Sequence, residues 1–128
     1  MNLVLLVIGL ALIEFMVFGF LVGQARSKHG VEAPATSGHP EYDRRYRVHQ
    51  NTLEQLVVFI PAILIFQSYW SPALAALIGL VFVVGRVVYY RGYVAEPSGR
   101  SAGFAIGFIA QAILLIGAVA GAVIQSIG

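Results

Sequence analysis

The sequence predicts an all-α fold, an integral membrane four-helix bundle that forms a single domain over residues 1–128. Hydrophobic residues make up 59% of the 128 positions and charged residues only 11%, so the chain lacks the polar shell of a water-soluble domain. Four apolar stretches, 3–22, 53–66, 73–88 and 102–124, alternate with polar segments. A helix crosses the roughly 30 Å hydrocarbon core with about 20 residues, and the two middle stretches reach that length by including their polar ends.

These stretches predict transmembrane helices over about residues 2–25, 42–68, 72–93 and 101–126. The first has no basic n-region and is longer than a signal-peptide core, so we interpret it as a retained spanning helix. The next segment is rich in Gly, Pro, Ser and Thr and predicts a loop, after which Asp43 is expected as an N-cap or first-turn acid. Pro61 is expected to bend helix two. The segments WSP and AEPSGR predict the last two turns.

The basic residues predict the orientation of the chain in the membrane. All eight lie in or beside the first and third connections: Arg26, Lys28, Arg44, Arg45, Arg47, Arg86, Arg91 and Arg100. The positive-inside rule therefore places those two loops on the cytoplasmic side and both termini on the opposite side. For the outermost charges, orientation and contact with lipid headgroups are sufficient explanations. Membrane lipid is an expected partner, and nucleic acid is not.

Cysteine is absent from the sequence, so the chain supplies no thiol nucleophile and any sulfur chemistry must come from a bound molecule. His29, His39 and His49 are spaced ten residues apart, which matches no common arrangement of metal ligands. No metal cofactor is expected.

Two polar helix faces predict a binding cleft. Helix two carries three polar residues on one face: Arg47, Asn51 and Glu54. Helix three does the same with another three: Arg86, Tyr89 and Tyr93. In antiparallel helices both faces reach the same depth. Guanidinium, carboxylate, amide and phenol groups suit a zwitterionic or anionic ligand of tripeptide size, with an apolar second molecule on the lipid-facing side.

Structural alternatives exist for the buried charges. Glu54 and Arg86 could form one buried ion pair that joins helices two and three, although this leaves the other cleft residues unexplained. Glu14, near the middle of helix one, is expected to form a hydrogen bond with Gln111 of helix four. Glycines spaced four apart in helices one and four favour close helix packing, within the chain or in a homo-oligomer.

The segments ARSKHGVEAPATSGHPEYDRRYRVHQNTLE and GRVVYYRGYVAEPSGRS resemble the MAPEG family, the membrane-associated proteins in eicosanoid and glutathione metabolism. The resemblance runs from about Gly23 to Ser101. The pattern R-x-x-x-N-x-x-E, followed by G-R-x-x-Y-x-x-G-Y and a downstream arginine, carries it. In the leukotriene-forming branch a second arginine follows the one at the end of helix one, whereas Ser27 stands there in this chain. Lys28 is the nearest basic substitute.

The resemblance implies a homotrimer that binds glutathione between neighbouring chains near the cytoplasmic side. By position, the glutathione-binding residues implied are Arg26, Arg47, His49, Asn51, Glu54, Arg86, Tyr89 and Tyr93. Arg100 is implied to face the thiol, and Ser101 to donate a hydrogen bond to the sulfur. The other interpretation of Ser101 is a helix N-cap.

The resemblance implies that the protein is a glutathione transferase or peroxidase. An adjacent guanidinium favours the thiolate of glutathione, which then attacks a lipophilic electrophile or reduces a lipid hydroperoxide. The alternative within the family is a non-catalytic protein that binds and presents lipids, which does not require the polar residue set. A small channel or transporter subunit would explain the charges within the membrane, but it would leave the tyrosine pair without a role.

Overall fold

The computed structural model describes residues 2–128 and confirms the predicted all-α fold. Its four long helices are α1 (Asn2–His29), α2 (Pro40–Tyr69), α3 (Pro72–Ala95) and α4 (Ser101–Ile127). A short 3-10 helix, Pro97–Arg100, precedes α4. All four long helices are long and apolar enough to cross a membrane. They extend beyond the predicted bounds by up to four residues because their polar ends remain helical.

Helices α2 and α3 form the centre of the bundle. Helix α1 packs against both of them on one flank, and α4 packs against both on the other. The aromatic rings of Phe59 and Phe82 stack between the two central helices with centroids 4.1 Å apart. Side chains such as Met16, 74% exposed, and Ile116, 68% exposed, cover the outside with hydrocarbon. An apolar exterior of this kind suits a lipid environment.

Local capping explains where the central helices begin. His39 is the N-cap of α2, and its Nδ1 accepts a hydrogen bond from the backbone N–H of Glu41 at 3.1 Å. Asp43 lies in the first turn, as predicted, and accepts from the N–H of Gly38 at 3.0 Å. Helix α3 starts behind Ser71, whose hydroxyl accepts from the N–H of Leu74 at 3.2 Å. Such side-chain acceptors satisfy the free donors of a helix start.

The two ends of the bundle differ in chemistry. Helices α1 and α3 end, and α2 and α4 begin, at one end of the bundle, which we call the polar end. The connections 30–39 and 96–100 lie at this end. The other end, here the apolar end, holds the α2–α3 turn at 70–71, the start of α1 and the end of α4. The charged residues of the loops therefore gather on one side of the bundle.

Glu41 is the centre of a charge cluster at the polar end. Its carboxylate accepts hydrogen bonds from Lys28 at 3.4 Å and from Arg45 at 2.7 Å, and the Nε2 atom of His29 lies 2.5 Å away. Arg45 also donates to the carbonyl of Leu21 at 3.0 Å. These contacts fasten the start of α2 to the last two turns of α1.

Arg44 connects the start of α2 to the end of α3. Its Nη1 donates to the carbonyls of Val94 and Ala95, each at 3.3 Å. The last carbonyls of a helix have no partner within the helix and carry partial negative charge, so a guanidinium is well placed there. The contact holds α2 against the segment that leads into α4.

Candidate functional site

A cavity of about 520 Å³ opens at the polar end between α2, α3 and the start of α4. Its lining consists of Arg47, Asn51, Tyr89, Tyr93, Arg100, Ser101 and Phe104. Six of the ten residues predicted for the site are therefore brought together in one place. We call this cavity the cleft.

Arg86 lies directly behind the cleft and orders its wall. The side chain is 1% exposed, and its Nη2 donates to Oδ1 of Asn51 at 2.9 Å and to Oγ1 of Thr52 at 2.8 Å. The guanidinium carbon stands 4.4 Å from the ring centroid of Tyr89, a cation–π contact. Arg86 thus fixes two residues that line the cleft, Asn51 and Tyr89.

The alternative of a Glu54–Arg86 ion pair is wrong. Arg86 bonds Asn51 and Thr52 instead, and Glu54 is exposed on the outer surface of α2. Asn51 and Glu54 are three residues apart, and residues at this spacing lie on the same helix face only approximately. In the folded helix, Asn51 turns inward and Glu54 turns away from the bundle.

Three glycines bring the wall that carries Arg100 close to α3. A Cβ atom on Gly92 would meet the carbonyl oxygen of Gly99, and a Cβ on Gly103 would meet the backbone of Tyr89. No side chain would fit between these backbones, so the 3-10 helix and the first turn of α4 pack directly on α3. Direct backbone packing of this kind requires glycine, because glycine has no side chain.

Arg100 and Ser101 follow this packed turn and line the cleft together with Arg47. Arg100 occupies the N-cap position of α4, and no side-chain cap bond accompanies it. Ser101 is already a helical residue with its side chain exposed at the cleft. The N-cap interpretation of Ser101 is therefore wrong, because the preceding 3-10 helix moves the cap one residue earlier.

Arg26, His49 and Glu54 do not line the cleft of their own chain. Arg26 donates to the carbonyl of Ala35 at 3.0 Å and to the hydroxyl of Tyr42 at 2.5 Å, which secures the first loop. The ring of His49 stacks on Phe15 of α1 at 4.4 Å between centroids. These three side chains therefore lie outside the cleft.

The predicted hydrogen bond between Glu14 and Gln111 is not formed. Both side chains are 8% exposed, and over residues 2–128 neither carboxylate oxygen of Glu14 nor Oε1 of Gln111 has a hydrogen-bond partner. The reason is the helix arrangement, since α1 and α4 lie on opposite flanks of the α2–α3 pair. Equal depth along the bundle does not bring them together.

Two residues of the site were missed from the sequence. Phe104, one turn after Ser101, gives the cleft an apolar wall, and Thr52 accepts from Arg86 while donating to the carbonyl of Val48 at 2.8 Å. The position of Phe104, three residues after Ser101 on the same helix face, was an available signal. Thr52 had none, because a threonine in an apolar helix has no distinctive pattern.

The charge of the cleft is positive. Two guanidinium groups, those of Arg47 and Arg100, line it, a third belongs to Arg86 behind it, and no carboxylate is among the lining residues. Guanidinium groups bind carboxylates through paired hydrogen bonds. The arrangement is suited to a small anionic ligand that also offers an apolar group to Phe104.

Fold and cleft together define a four-helix integral membrane protein with a cationic cavity at one end of the bundle. The chain matches the MAPEG family over residues 4–120 and belongs to that family. The resemblance seen in the loop and helix motifs is thereby confirmed, and it extends into α1 and α4.

Relatives from several organisms match most of the chain. A protein of Synechocystis sp. described as uncharacterized is 42% identical over 113 residues, 88% of this chain and 82% of that protein. The microsomal glutathione S-transferase 2 of Homo sapiens is 36% identical over 100 residues, 77% of this chain and 68% of that protein. The leukotriene C4 synthase of Cavia porcellus is 35% identical over 85 residues, 66% of this chain and 57% of that protein.

Proposed function

We propose that the protein is a glutathione-dependent transferase of the membrane that activates the thiol of glutathione toward lipophilic electrophiles. The single observation that carries the proposal is the cleft, in which side chains from α2, α3, the 3-10 helix and α4 converge: Arg47, Asn51, Tyr89, Tyr93, Arg100 and Ser101. Membership of the MAPEG family and similarity to a protein named as a glutathione S-transferase support the same assignment.

The chemistry of the cleft fits glutathione, a tripeptide with two carboxylates, one ammonium group and one thiol. Arg47 offers a planar fork for a carboxylate, while Asn51 and Tyr93 offer directional hydrogen bonds. The volume of about 520 Å³ lies within the range of small-molecule sites. Because Arg86 already holds Asn51, this part of the cleft is ordered before a ligand binds.

Arg100 is the proposed activator. A free thiol has a pKa of roughly 8.5 and is mostly protonated at neutral pH. A guanidinium beside it favours the thiolate, because opposite charges attract more strongly where water is scarce. The Ser101 hydroxyl is proposed to donate a hydrogen bond to the sulfur. Phe104 gives the neighbouring wall the apolar character that a lipophilic second substrate requires. Conjugation and reduction of lipid hydroperoxides both begin from this thiolate.

The proposal includes a homotrimer with the ligand between chains. Arg47 and Glu54 are exposed on the outside of the single chain, and an ionic side chain facing hydrocarbon costs roughly 2.5 to 3.5 kcal/mol on insertion scales. A neighbouring copy would cover these charges. In that assembly Arg26, His49 and Glu54, which lie outside the cleft of their own chain, contribute to the ligand site of an adjacent one. The basic residues support a cytoplasmic location for the polar end.

The test is a titration of the detergent-purified protein with glutathione at neutral pH, following the ultraviolet absorbance of the thiolate. We expect a saturable thiolate signal in the wild type, and binding without that signal in Arg100→Ala. The matched control is Arg91→Ala, which removes an exposed arginine of α3 that is not among the lining residues. A normal thiolate signal in Arg100→Ala would refute the role of Arg100. Absence of binding in the wild type would refute the proposed function and favour the lipid-presenting alternative.

A further inference from the structure

Glu14 is the one acidic residue of α1, and it is 8% exposed in the interior of the bundle. Neither of its carboxylate oxygens has a hydrogen-bond partner among residues 2–128. A buried carboxylate without partners is strongly unfavourable, and native interiors rarely leave one in that state. Something other than a direct protein contact must therefore satisfy it.

The group that faces Glu14 is the guanidinium of Arg86. Helices α1 and α3 run in the same direction, and Val7 lies against Gly79, where a Cβ would come within 2.7 Å of Cγ1 of Val7. Seven residues further along each helix, Glu14 and Arg86 are level with each other. Both side chains lie in the interior of the bundle, Glu14 at 8% and Arg86 at 1% exposed.

Arg86 also retains an unused donor. Its Nη2 is bonded to Asn51 and Thr52, whereas its Nε is buried without a partner. The two side chains are not in direct contact as an ion pair, because the ion pairs of the described residues all converge on Glu41. An unpaired acceptor on α1 and an unpaired donor on α3 thus stand at one level of the bundle.

We propose that internal water bridges the Glu14 carboxylate to the Nε–H of Arg86, and that Glu14 is thereby a positioning residue for the cleft. Buried waters typically make about three hydrogen bonds to polar groups that lack other partners. The resulting chain of contacts runs from Glu14 through water to Arg86, and from Arg86 to Asn51 in the cleft wall. The part of this inference that concerns ligand affinity rests on the proposed function.

The consequence for binding follows from the charge of Arg86. With Glu14 in place, the guanidinium is held between α1 and α2 and presents Asn51 in one orientation. Without the carboxylate, Arg86 loses its only facing counter-charge from α1, and the order of Asn51 and Tyr89 decreases. Arg100 is not part of these contacts. Ligand affinity should therefore change more than the rate of the chemical step.

The first test compares Glu14→Gln with Gln111→Met in the full-length protein. Both variants alter a buried polar side chain, but Gln111 lies on the opposite flank of the bundle. We expect Glu14→Gln to raise the KM and Kd for glutathione about threefold to tenfold, the effect of one lost hydrogen bond, with kcat nearly unchanged. Gln111→Met should stay within about twofold of wild type. Equal KM values for Glu14→Gln and wild type, or equal effects of both variants, would overturn the positioning role.

The second test does not depend on glutathione. Thermal unfolding is measured for wild type, Glu14→Gln, Arg86→Gln and the double variant in the same detergent. We expect the double variant to unfold at about the temperature of the less stable single variant, because coupled groups show non-additive effects. Additive shifts would overturn the bridge between Glu14 and Arg86. If the wild type binds no glutathione, the proposed function and the positioning role fail together, and this cycle alone decides whether the two side chains are coupled.

Discussion

The two ends of the bundle use glycine in different ways. At the polar end, Gly103 packs against the backbone of Tyr89, so that α4 and α3 touch main chain to main chain. At the apolar end, Gly117 receives the ring of Phe66 and Gly121 receives the side chain of Tyr69, whose Cβ would lie 2.6 Å from an added Cβ. The nearest neighbour of Gly103 is main chain, which cannot rotate away, whereas the nearest neighbour of Gly117 is an aromatic ring, which can rotate.

This difference indicates which end of the bundle requires fixed geometry. A side chain can change rotamer at modest cost, but two backbones in contact cannot separate without moving whole helices. The polar end carries the cleft and is tied together further by Arg44 and the Glu41 cluster. At the apolar end, Trp70 adds one bond from its Nε1 to the carbonyl of Gly117 at 2.8 Å. The contacts at the polar end position polar groups, whereas those at the apolar end mainly pack side chains between the helices.

The largest effect is expected from Gly103→Ala, which places a methyl group into the backbone of Tyr89. Overpacking typically costs about 1 to 3 kcal/mol, and here no flexible neighbour can relieve it. We expect a marked drop in the unfolding temperature and loss of glutathione binding. The matched control is Gly107→Ala, whose Cβ would lie 3.7 Å from Cδ of Arg86, an ordinary contact. Equal stability of Gly103→Ala and Gly107→Ala would show that contact with the Tyr89 backbone carries no extra cost, which removes the physical basis of the comparison.

A smaller effect is expected from Gly117→Ala at the apolar end. The added methyl displaces the ring of Phe66, which can rotate, so we expect a loss of stability of about 1 kcal/mol. Glutathione affinity should be unchanged, because the cleft lies at the opposite end. Thermal unfolding and a binding titration measure both properties. Gly9→Ala, which meets nothing within 4 Å, controls for the change in helix propensity.

Arg44→Met should have a modest effect on stability and a clearer one on turnover. The variant keeps an apolar stem and loses the bonds to the carbonyls of Val94 and Ala95, worth about 1 kcal/mol. The connection that leads to Arg100 then loses its link to α2, so we expect kcat to fall severalfold. Steady-state kinetics measure this, with Arg91→Met as the control. Unchanged kcat would limit Arg44 to a role in stability.

The smallest effect is expected from Glu41→Gln. The variant removes the ion pairs with Lys28 and Arg45, which lie near the surface of the polar end. Exposed pairs contribute little and are screened by salt. We expect a slight drop in the unfolding temperature at low ionic strength and none in concentrated salt. A drop that persists in salt would show that the Glu41 cluster is shielded from solvent.

The sequence was sufficient for the four helices and for most of the cleft. Apolar stretches of spanning length indicate membrane helices whatever their arrangement, and the polar spacing on α2 and α3 identified Arg47, Asn51, Tyr89 and Tyr93. The arrangement itself was not predictable. Glu14 and Gln111 lie at similar depth, yet only the packing of α1 and α4 on opposite flanks shows that they do not meet.

The wrong predictions for Glu54 and Ser101 also arose from details of helix geometry that the sequence does not specify. Whether Glu54 turns inward with Asn51 depends on a rotation of about 60° around the axis of α2, which is finer than a residue spacing can specify. The capping role of Ser101 depended on where α4 begins, and the 3-10 helix before it moved that point. Neither property leaves a distinct pattern in a single sequence.

The backbone contacts of Gly92 with Gly99 and of Gly103 with Tyr89 also have a consequence for inhibitor design. Because main-chain contacts set the distance between α3 and the start of α4, the part of the cleft between these two elements has a single width and cannot widen for a bulkier compound. A ligand would then have to match this fixed width. A series of rigid thiol-free analogues, graded in thickness, should show an abrupt limit in affinity where a compliant pocket would show a gradual decline.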